Sequence, residues 1–532
     1  MGFARKSAVL TATAGLLLAG CSTPAAQASS RCSSLAEPEV PGAEVVSTTA
    51  EEHPGGTIDP PPVPPDPTPP IENVPPHCAV TVVLTHPGAH DEVTVEVWLP
   101  LENWNGRFQG TGGAGWSTGV SAAALAPAVK NGYAAAATDG GHELNSIDPS
   151  RWALDEQGEV NLELLENFAS RSLHDMTVVG KAVTADFYGE PARYSYWNGC
   201  STGGRQGFME AQRYPGDYDG ILASAPAINW ERFTTASQWP HVVMHEAGVY
   251  PSPCEFEAFT EAAIEACDGA DGVVDGVIGD PLRCGFDPAE LVGTQVLCDG
   301  EETTISAETA EVVRKIWDGP RTSDGERLWY GLTKGTLLSN LTTPGPDGTM
   351  RPATFPIADS WVRYFLKQDP EFDASALTTE EFEELFEQAQ RDYNDIIGTD
   401  DPDLSEFRES GGKLLTWHGM SDSLIYPQGT IRYWHEVVRA LGGQHRVDDF
   451  FRVFLAPGAE HCSAGRGPAP VDPLGALVEW VENGNAPDTL PAAKTDGSGQ
   501  VITRDLCPYP QVAQYDGEGD PNQADSYRCT TA

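Results

Sequence analysis

Basic residues are scarce in this chain: 32 Lys and Arg stand against 78 Asp and Glu, a formal net charge of −46 over 532 residues. Loss of Arg5 and Lys6 with an N-terminal leader takes the charge to −48. So acidic a surface repels phosphate backbones and anionic headgroups, which excludes a nucleic-acid function. Beyond the leader the sequence also lacks any apolar run long enough to span a bilayer. Membrane contact is therefore left to an anchor.

Such an anchor is readable at the N-terminus. Arg5 and Lys6 precede an apolar stretch, Ala8 to Ala19, too short to cross a bilayer, and Leu18-Ala19-Gly20-Cys21 resembles a lipoprotein processing box with Cys21 as the lipid-bearing residue. That makes 1–21 a lipoprotein signal peptide; the alternative is an ordinary secretory signal cut near Ala26-Gln27-Ala28 with Cys21 discarded. Both readings export the protein, the first to the outer face of a bacterial membrane. Eleven cysteines less Cys21 leave ten, an even number in an oxidising compartment, and five disulfides are expected. Residues 22–76 read as a tether, with Asp59 to Pro70 (DPPPVPPDPTPP) as a polyproline-type spacer.

The chemistry centres on Tyr194 to Gly207, YSYWNGCSTGGRQG. Arg193 to Asn198 is strand-like, Gln206 to Arg213 is helix-like with Phe208 and Ala211 on one side, and Gly199-Cys200-Ser201-Thr202-Gly203 joins them. A serine at a sharp strand-to-helix turn has its hydroxyl pushed out of the sheet, and flanking glycines leave room for that backbone. Ser201 is the candidate nucleophile. Cys200, just before it, has a distant counterpart in His461-Cys462.

Around this turn, Val93 to Leu99 and Tyr133 to Thr138 read as strands, Asn161 to Phe187 as helix, and Asp219 to Ala225 as a further strand. Strands alternating with helices predict a mostly parallel sheet covered on both faces. The rhythm breaks over 228–403 and resumes at Lys413 to Trp417, so an α/β-hydrolase fold with a large inserted lid domain is expected: a catalytic domain over 77–227 and 404–532, interrupted by the lid. An acyl-transfer serine needs a base and a carboxylate to orient it, in chain order Ser, Asp, His for this fold. Asp422 follows the strand Lys413 to Trp417 and His461 follows the strand Phe450 to Leu455, both in loops where such groups converge. His142, His174 and His418 are competitors for the base role; the cysteine beside His461 sets it apart.

Within the lid, Asp268, Asp271 and Asp275 lie on short spacing with glycines between them. Such a loop supplies hard oxygen ligands of the kind Ca²⁺ prefers, although it lacks the EF-hand register and its terminal Glu. A solvated acidic turn is the competing reading.

Taken in order, WNGRF (104–108), ATDGGH (137–142), GCSTGGRQG (199–207), YPGDYDGILASAP (214–226), CDGADGVVDGVIGDPLRC (267–284), WHGMSD (417–422) and EHC (460–462) resemble the tannase and feruloyl esterase family, which also includes hydrolases of aromatic polyester fragments. The resemblance implies a secreted serine esterase for aromatic ester substrates, hydroxycinnamoyl or galloyl, with Ser201, Asp422 and His461 as the triad. It implies an oxyanion hole from the Thr202 N–H and Gly112 or Gly113, and a structural Ca²⁺ held by Asp268, Asp271, Asp275 and the carbonyls of Val273 and Val277. It further implies the pairs Cys32–Cys78, Cys200–Cys462, Cys267–Cys284 and Cys507–Cys529, leaving Cys254 and Cys298 for each other; here EETTIS (301–306) stands where relatives carry a second cysteine. From a different class, a non-catalytic ligand-binding lipoprotein would share the anchor and acidic surface but needs no Ser, Asp, His series.

Overall fold

A computed structural model describes residues 1–2, 32–60, 69–298 and 300–531. The leader with Cys21, and most of the proline run, lie outside the described residues. Nine strands form the main sheet: β1 (Glu44–His53), β2 (His77–Thr85), β3 (Val93–Pro100), β4 (Arg107–Thr111), β5 (Ala134–Thr138), β6 (Tyr194–Cys200), β7 (Gly220–Ser224), β8 (Lys413–Gly419) and β9 (Phe451–Ala456), in spatial order β1-β2-β3-β5-β4-β6-β7-β8-β9. The pairs from β5 through β4 to β9 are parallel, and β1, β2 and β3 join antiparallel at one side.

The central strands are short and mostly buried because helices cover both their faces. β5 is AAAAT and β7 is GILAS, every residue buried. The segment read as one helix is two, α1 (Leu162–Ala169) and α2 (Arg171–Tyr188), broken where Ser170 leaves helical geometry at φ −157°, ψ −50°. Gly180 of α2 lies directly on Phe108 of β4, where a Cβ would come within 2.6 Å of the ring. Helix α3 (Thr202–Arg213) follows β6 and buries Phe208 and Ala211.

Residues between β7 and β8 add no strand to the main sheet; their short strands pair only with each other. This insertion is built on an aromatic core that reaches down to the glycine loop after β4. Trp116 stacks on Phe365 at 4.9 Å and meets Trp230 edge-on at 5.1 Å, and its indole N–H donates to Ser360 Oγ at 2.8 Å.

The described part of residues 22–76, 32–60 and 69–76, is more than a tether. Glu44 to His53 pairs with β2 along its whole length, and the Cys32–Cys78 bridge ties the segment to that strand. The signal was weak because β1 is an edge strand with Glu44, Glu51 and Glu52 exposed, so only a few of its residues are even half-buried.

Candidate active site

Ser201 is the hinge between β6 and α3, at φ 65° and ψ −123°. A non-glycine residue there is strained, and such strain persists only where surrounding contacts over-determine it. Three hydrogen bonds do so here: the Ser201 N–H donates to Ser224 O at 3.0 Å, while its carbonyl accepts from Arg205 at 3.0 Å and Ala227 at 3.1 Å. Gly199 permits the turn, since a Cβ there would stand 2.5 Å from the Gly203 carbonyl.

Asp422 and His461 meet. His461 Nδ1 lies 2.7 Å from Asp422 Oδ2, the carboxylate fully buried and the imidazole ring partly exposed. Burial pushes the Asp422 carboxyl up, but the His461 charge and hydrogen bonds from His418 and His461 outweigh it and hold the group well below the usual carboxylate range. Its other oxygen accepts the N–H groups of Leu424 and Ile425, both at 2.9 Å. The Cys200–Cys462 bridge, with Cα atoms 6.1 Å apart, joins the residue before the serine to the residue after the histidine. Cys462 itself sits at φ 56°.

The histidine competitors have other work. His142 is buried on Thr118 Oγ1 at 2.8 Å and stacked on Trp152; burial lowers its pKa to about 4. His174 pairs with Asp217 at 2.6 Å. His418 belongs to the site in a role its sequence did not reveal. Fully buried in β8, it places Nε2 3.1 Å from Asp422 Oδ2 while Nδ1 meets Thr430 Oγ1 at 2.8 Å.

The glycine loop differs from expectation. The Gly112 N–H donates to Asn198 O at 3.2 Å and the Gly113 N–H to Gln206 Oε1 at 2.9 Å, so neither faces a substrate oxygen. These glycines are needed for close approach instead: a Cβ on Gly112 would lie 2.4 Å from Gly203 Cα, and one on Gly113 1.9 Å from Ser117 O. The Thr202 N–H opens α3, where a helix has no internal acceptor for it. Gly115, at φ 53°, takes the Thr202 hydroxyl on its carbonyl at 2.7 Å, and its own N–H has no acceptor among the described residues.

Two residues of the GCSTGGRQG stretch were legible only as motif. Gln206 clamps the loop, accepting from Gly113 and donating to Thr118 O at 3.0 Å. Arg205, fully buried, donates to Ala169 O, Phe168 O and Thr399 Oγ1, tying α3 to α1 and the insertion; burial lowers its pKa to about 9.

In the acidic loop, buried Asp268 accepts the N–H groups of Asp275 and Gly276, Asp271 accepts that of Val273, and Asp275 accepts that of Val277 and pairs with Arg504 at 2.6 Å. Burial, with Asp275 and Asp268 adding to it, raises the Asp271 carboxyl. Among the described residues no group of three or more His, Cys, Asp or Glu side chains converges as a metal site. The carbonyls of Val273 and Val277 belong to the same loop. All five disulfides close, including Cys254–Cys298, Cys267–Cys284 and Cys507–Cys529.

A family profile described as tannase and feruloyl esterase matches residues 78–530. A probable feruloyl esterase of Arthroderma benhamiae is 48% identical over 506 residues, 94% of this chain and 93% of the relative. A probable feruloyl esterase B of Emericella nidulans is 34% identical over 479 residues, 85% of this chain and 86% of the relative. Among solved structures, the tannin acyl hydrolase of Aspergillus niger superposes with a TM-score of 0.84 at 26% identity, covering 94% of both chains, and feruloyl esterase B of Aspergillus oryzae with 0.79 at 29%, covering 94% of this chain and 100% of that one.

Proposed function

Because this chain belongs to the tannase and feruloyl esterase family and is a carboxylic ester hydrolase, we propose that it cleaves hydroxycinnamoyl or galloyl esters through an acyl-enzyme on Ser201. His461 takes the Ser201 proton as the hydroxyl attacks the ester carbonyl and returns it to the departing alcohol; water then repeats the sequence to release the acid. Asp422 holds the imidazole in orientation and stabilises its cationic form. The Thr202 N–H and, in place of Gly112 or Gly113, the Gly115 N–H serve the oxyanion. The observation that carries this reading is the 2.7 Å Asp422–His461 contact fixed beside the strained serine by the Cys200–Cys462 bridge. The test is turnover of methyl ferulate, methyl gallate and a mono-aromatic terephthalate ester: Ser201→Ala should abolish it with an unchanged melting curve, and wild-type rates in that variant would end the proposal. Preference for the terephthalate ester would move the substrate class to polyester fragments.

The names of the relatives support the aromatic acyl group. The all-oxygen donor set of Asp268, Asp271, Asp275, Val273 and Val277 fits a hard cation, and mutual repulsion of the carboxylates is what a dication would relieve, so Ca²⁺ is assigned a structural role there. No helix among the described residues is long and apolar enough to cross a membrane. Five disulfides support export to an oxidising compartment, with attachment, if Cys21 is lipidated, through that residue alone.

A further inference from the structure

Away from the triad, at the seam between the insertion and the catalytic body, lies a cleft of about 490 Å³ whose charge is opposite to that of the protein. Arg327, Lys334, Arg432 and Arg439 line it, and among the described residues Asp318 is its one carboxylate. At the chain's ratio of 78 acids to 32 bases, four cations would be accompanied by roughly ten carboxylates. Asp318 is moreover occupied, its Oδ2 lying 2.8 Å from Arg314.

The cations are not all spent on internal partners. Arg432 is held in place by Glu436 at 2.8 Å and lies over the Trp329 ring, and Arg439 reaches the same Glu436 only at 3.8 Å. Lys334 donates to the Cys284 carbonyl at 2.7 Å, lies over the Trp317 ring, and joins no ion pair among the described residues. Its pKa is lowered by burial, which the charges of Asp318 and Asp287 offset only in part. Arg327 is exposed at the rim and likewise joins no ion pair among the described residues. Tyr330 and Trp317 add ring faces between these charges.

We propose that this cleft binds a carboxylate carried on a flat or pyranose ring, the rings of Tyr330 and Trp317 taking the ring face and Arg327 and Lys334 the carboxylate. A guanidinium fork matches a carboxylate in two hydrogen bonds, and aromatic faces accept planar or pyranose rings, so the lining selects both features of one ligand. The proposal rests on the ester-hydrolase reading for its sources: an acid sugar in the polymer that bears the ester, or the aromatic acid that hydrolysis releases. The cleft also abuts the site's scaffold. Thr333 on its wall donates to the Met420 carbonyl, two residues before Asp422, and the helix α4 (Pro427–Ala440) that carries Arg432 and Arg439 begins five residues after Asp422.

Binding of sodium ferulate and of trigalacturonate to the full-length protein is measured by calorimetry at low salt and at 0.5 M NaCl, with methyl ferulate on the Ser201→Ala protein and neutral trigalactose as controls. At least one acid binds, its affinity falls at least tenfold in salt, and neither control binds the cleft; the tighter acid identifies the source. Lys334→Met and the exposed Arg327→Gln each weaken acid binding about tenfold or more while kcat/KM on methyl ferulate stays at the wild-type value. Absence of acid binding at low salt, binding of neutral trigalactose equal to that of trigalacturonate, or unaltered acid affinity in the folded Arg327→Gln protein would overturn the proposal. A protein that binds an acid but hydrolyses no methyl ester would sink the proposed substrate class and leave the cleft standing.

Discussion

Removing the bridge beside the nucleophile, in the double variant Cys200→Ala/Cys462→Ala, separates what the crosslink does for stability from what it does for catalysis. The bridged residues are 262 apart in sequence. Loop-closure entropy for that length is worth about 5–6 kcal/mol, and shortening of the loop by the nested Cys254–Cys298 bridge alters this by only ~0.2 kcal/mol. Against it stands relief of the left-handed backbone at Cys462, φ 56°, worth about 1–2 kcal/mol. The expected net loss is about 3–5 kcal/mol, read as the change in unfolding free energy from denaturant titration followed by tryptophan fluorescence without reductant. Activity should fall further than stability explains. With His461 no longer pinned to the residue before Ser201, a displacement near 1 Å costs about 100-fold in kcat/KM under conditions where the variant is fully folded. A variant that loses less than about 1 kcal/mol and keeps its wild-type kcat/KM would refute the reasoning on both counts.

His418→Leu removes one hydrogen bond from the buried Asp422 carboxylate and leaves the others; kcat should drop about tenfold with KM unchanged, whereas a fall confined to KM would deny it a positioning role. Glu231 is fully buried, and its Oε1 lies 3.2 Å from Arg232 Nε, which is directed instead to Gln390 Oε1. Burial pushes the Glu231 carboxyl up to about 7, Arg232 only partly offsetting it. Since the folded-state value exceeds the unfolded one, stability is unaffected below about pH 4.5, declines between there and pH 7, and is lower by about 3 kcal/mol above. Glu231→Gln should therefore stabilise the protein at pH 8 and be neutral at pH 4, in denaturant titrations at both values; equal effects at the two would contradict this. Chelation should lower the melting temperature, and restored Ca²⁺ should recover it. A melting curve indifferent to both would remove the metal from the acidic loop.

What the sequence disclosed depended on how local the cause was. β6, β7, β8 and β9 were legible to within a residue or two because each is a short run rich in aromatic and aliphatic residues bounded by turn residues. The break at Ser170 was not, since the apolar period continues through it and only its backbone angles interrupt the helix. The role of Gly112 or Gly113 came from resemblance, and a motif cannot say which N–H is already taken: Gly113 is claimed by Gln206, ninety-three positions later. His418 was passed over because position near a strand end does not reveal a partner, and its contacts come from the loop and helix that follow. The cationic cleft was hidden for the same reason, its charges coming from separate segments of the insertion and α4.

Segments near the two termini lie along the two sides of the main sheet, with β1 as a charged edge strand on one of them. β1 covers the flank of β2, and at the opposite margin Pro508 bridges to Phe454 while the Tyr509 N–H donates to Val453 O. An uncovered strand flank invites pairing with a second molecule. A chain shortened to the catalytic residues at either terminus would thus keep its triad and gain a sticky side, and its first symptom would be self-association in solution rather than a slower enzyme.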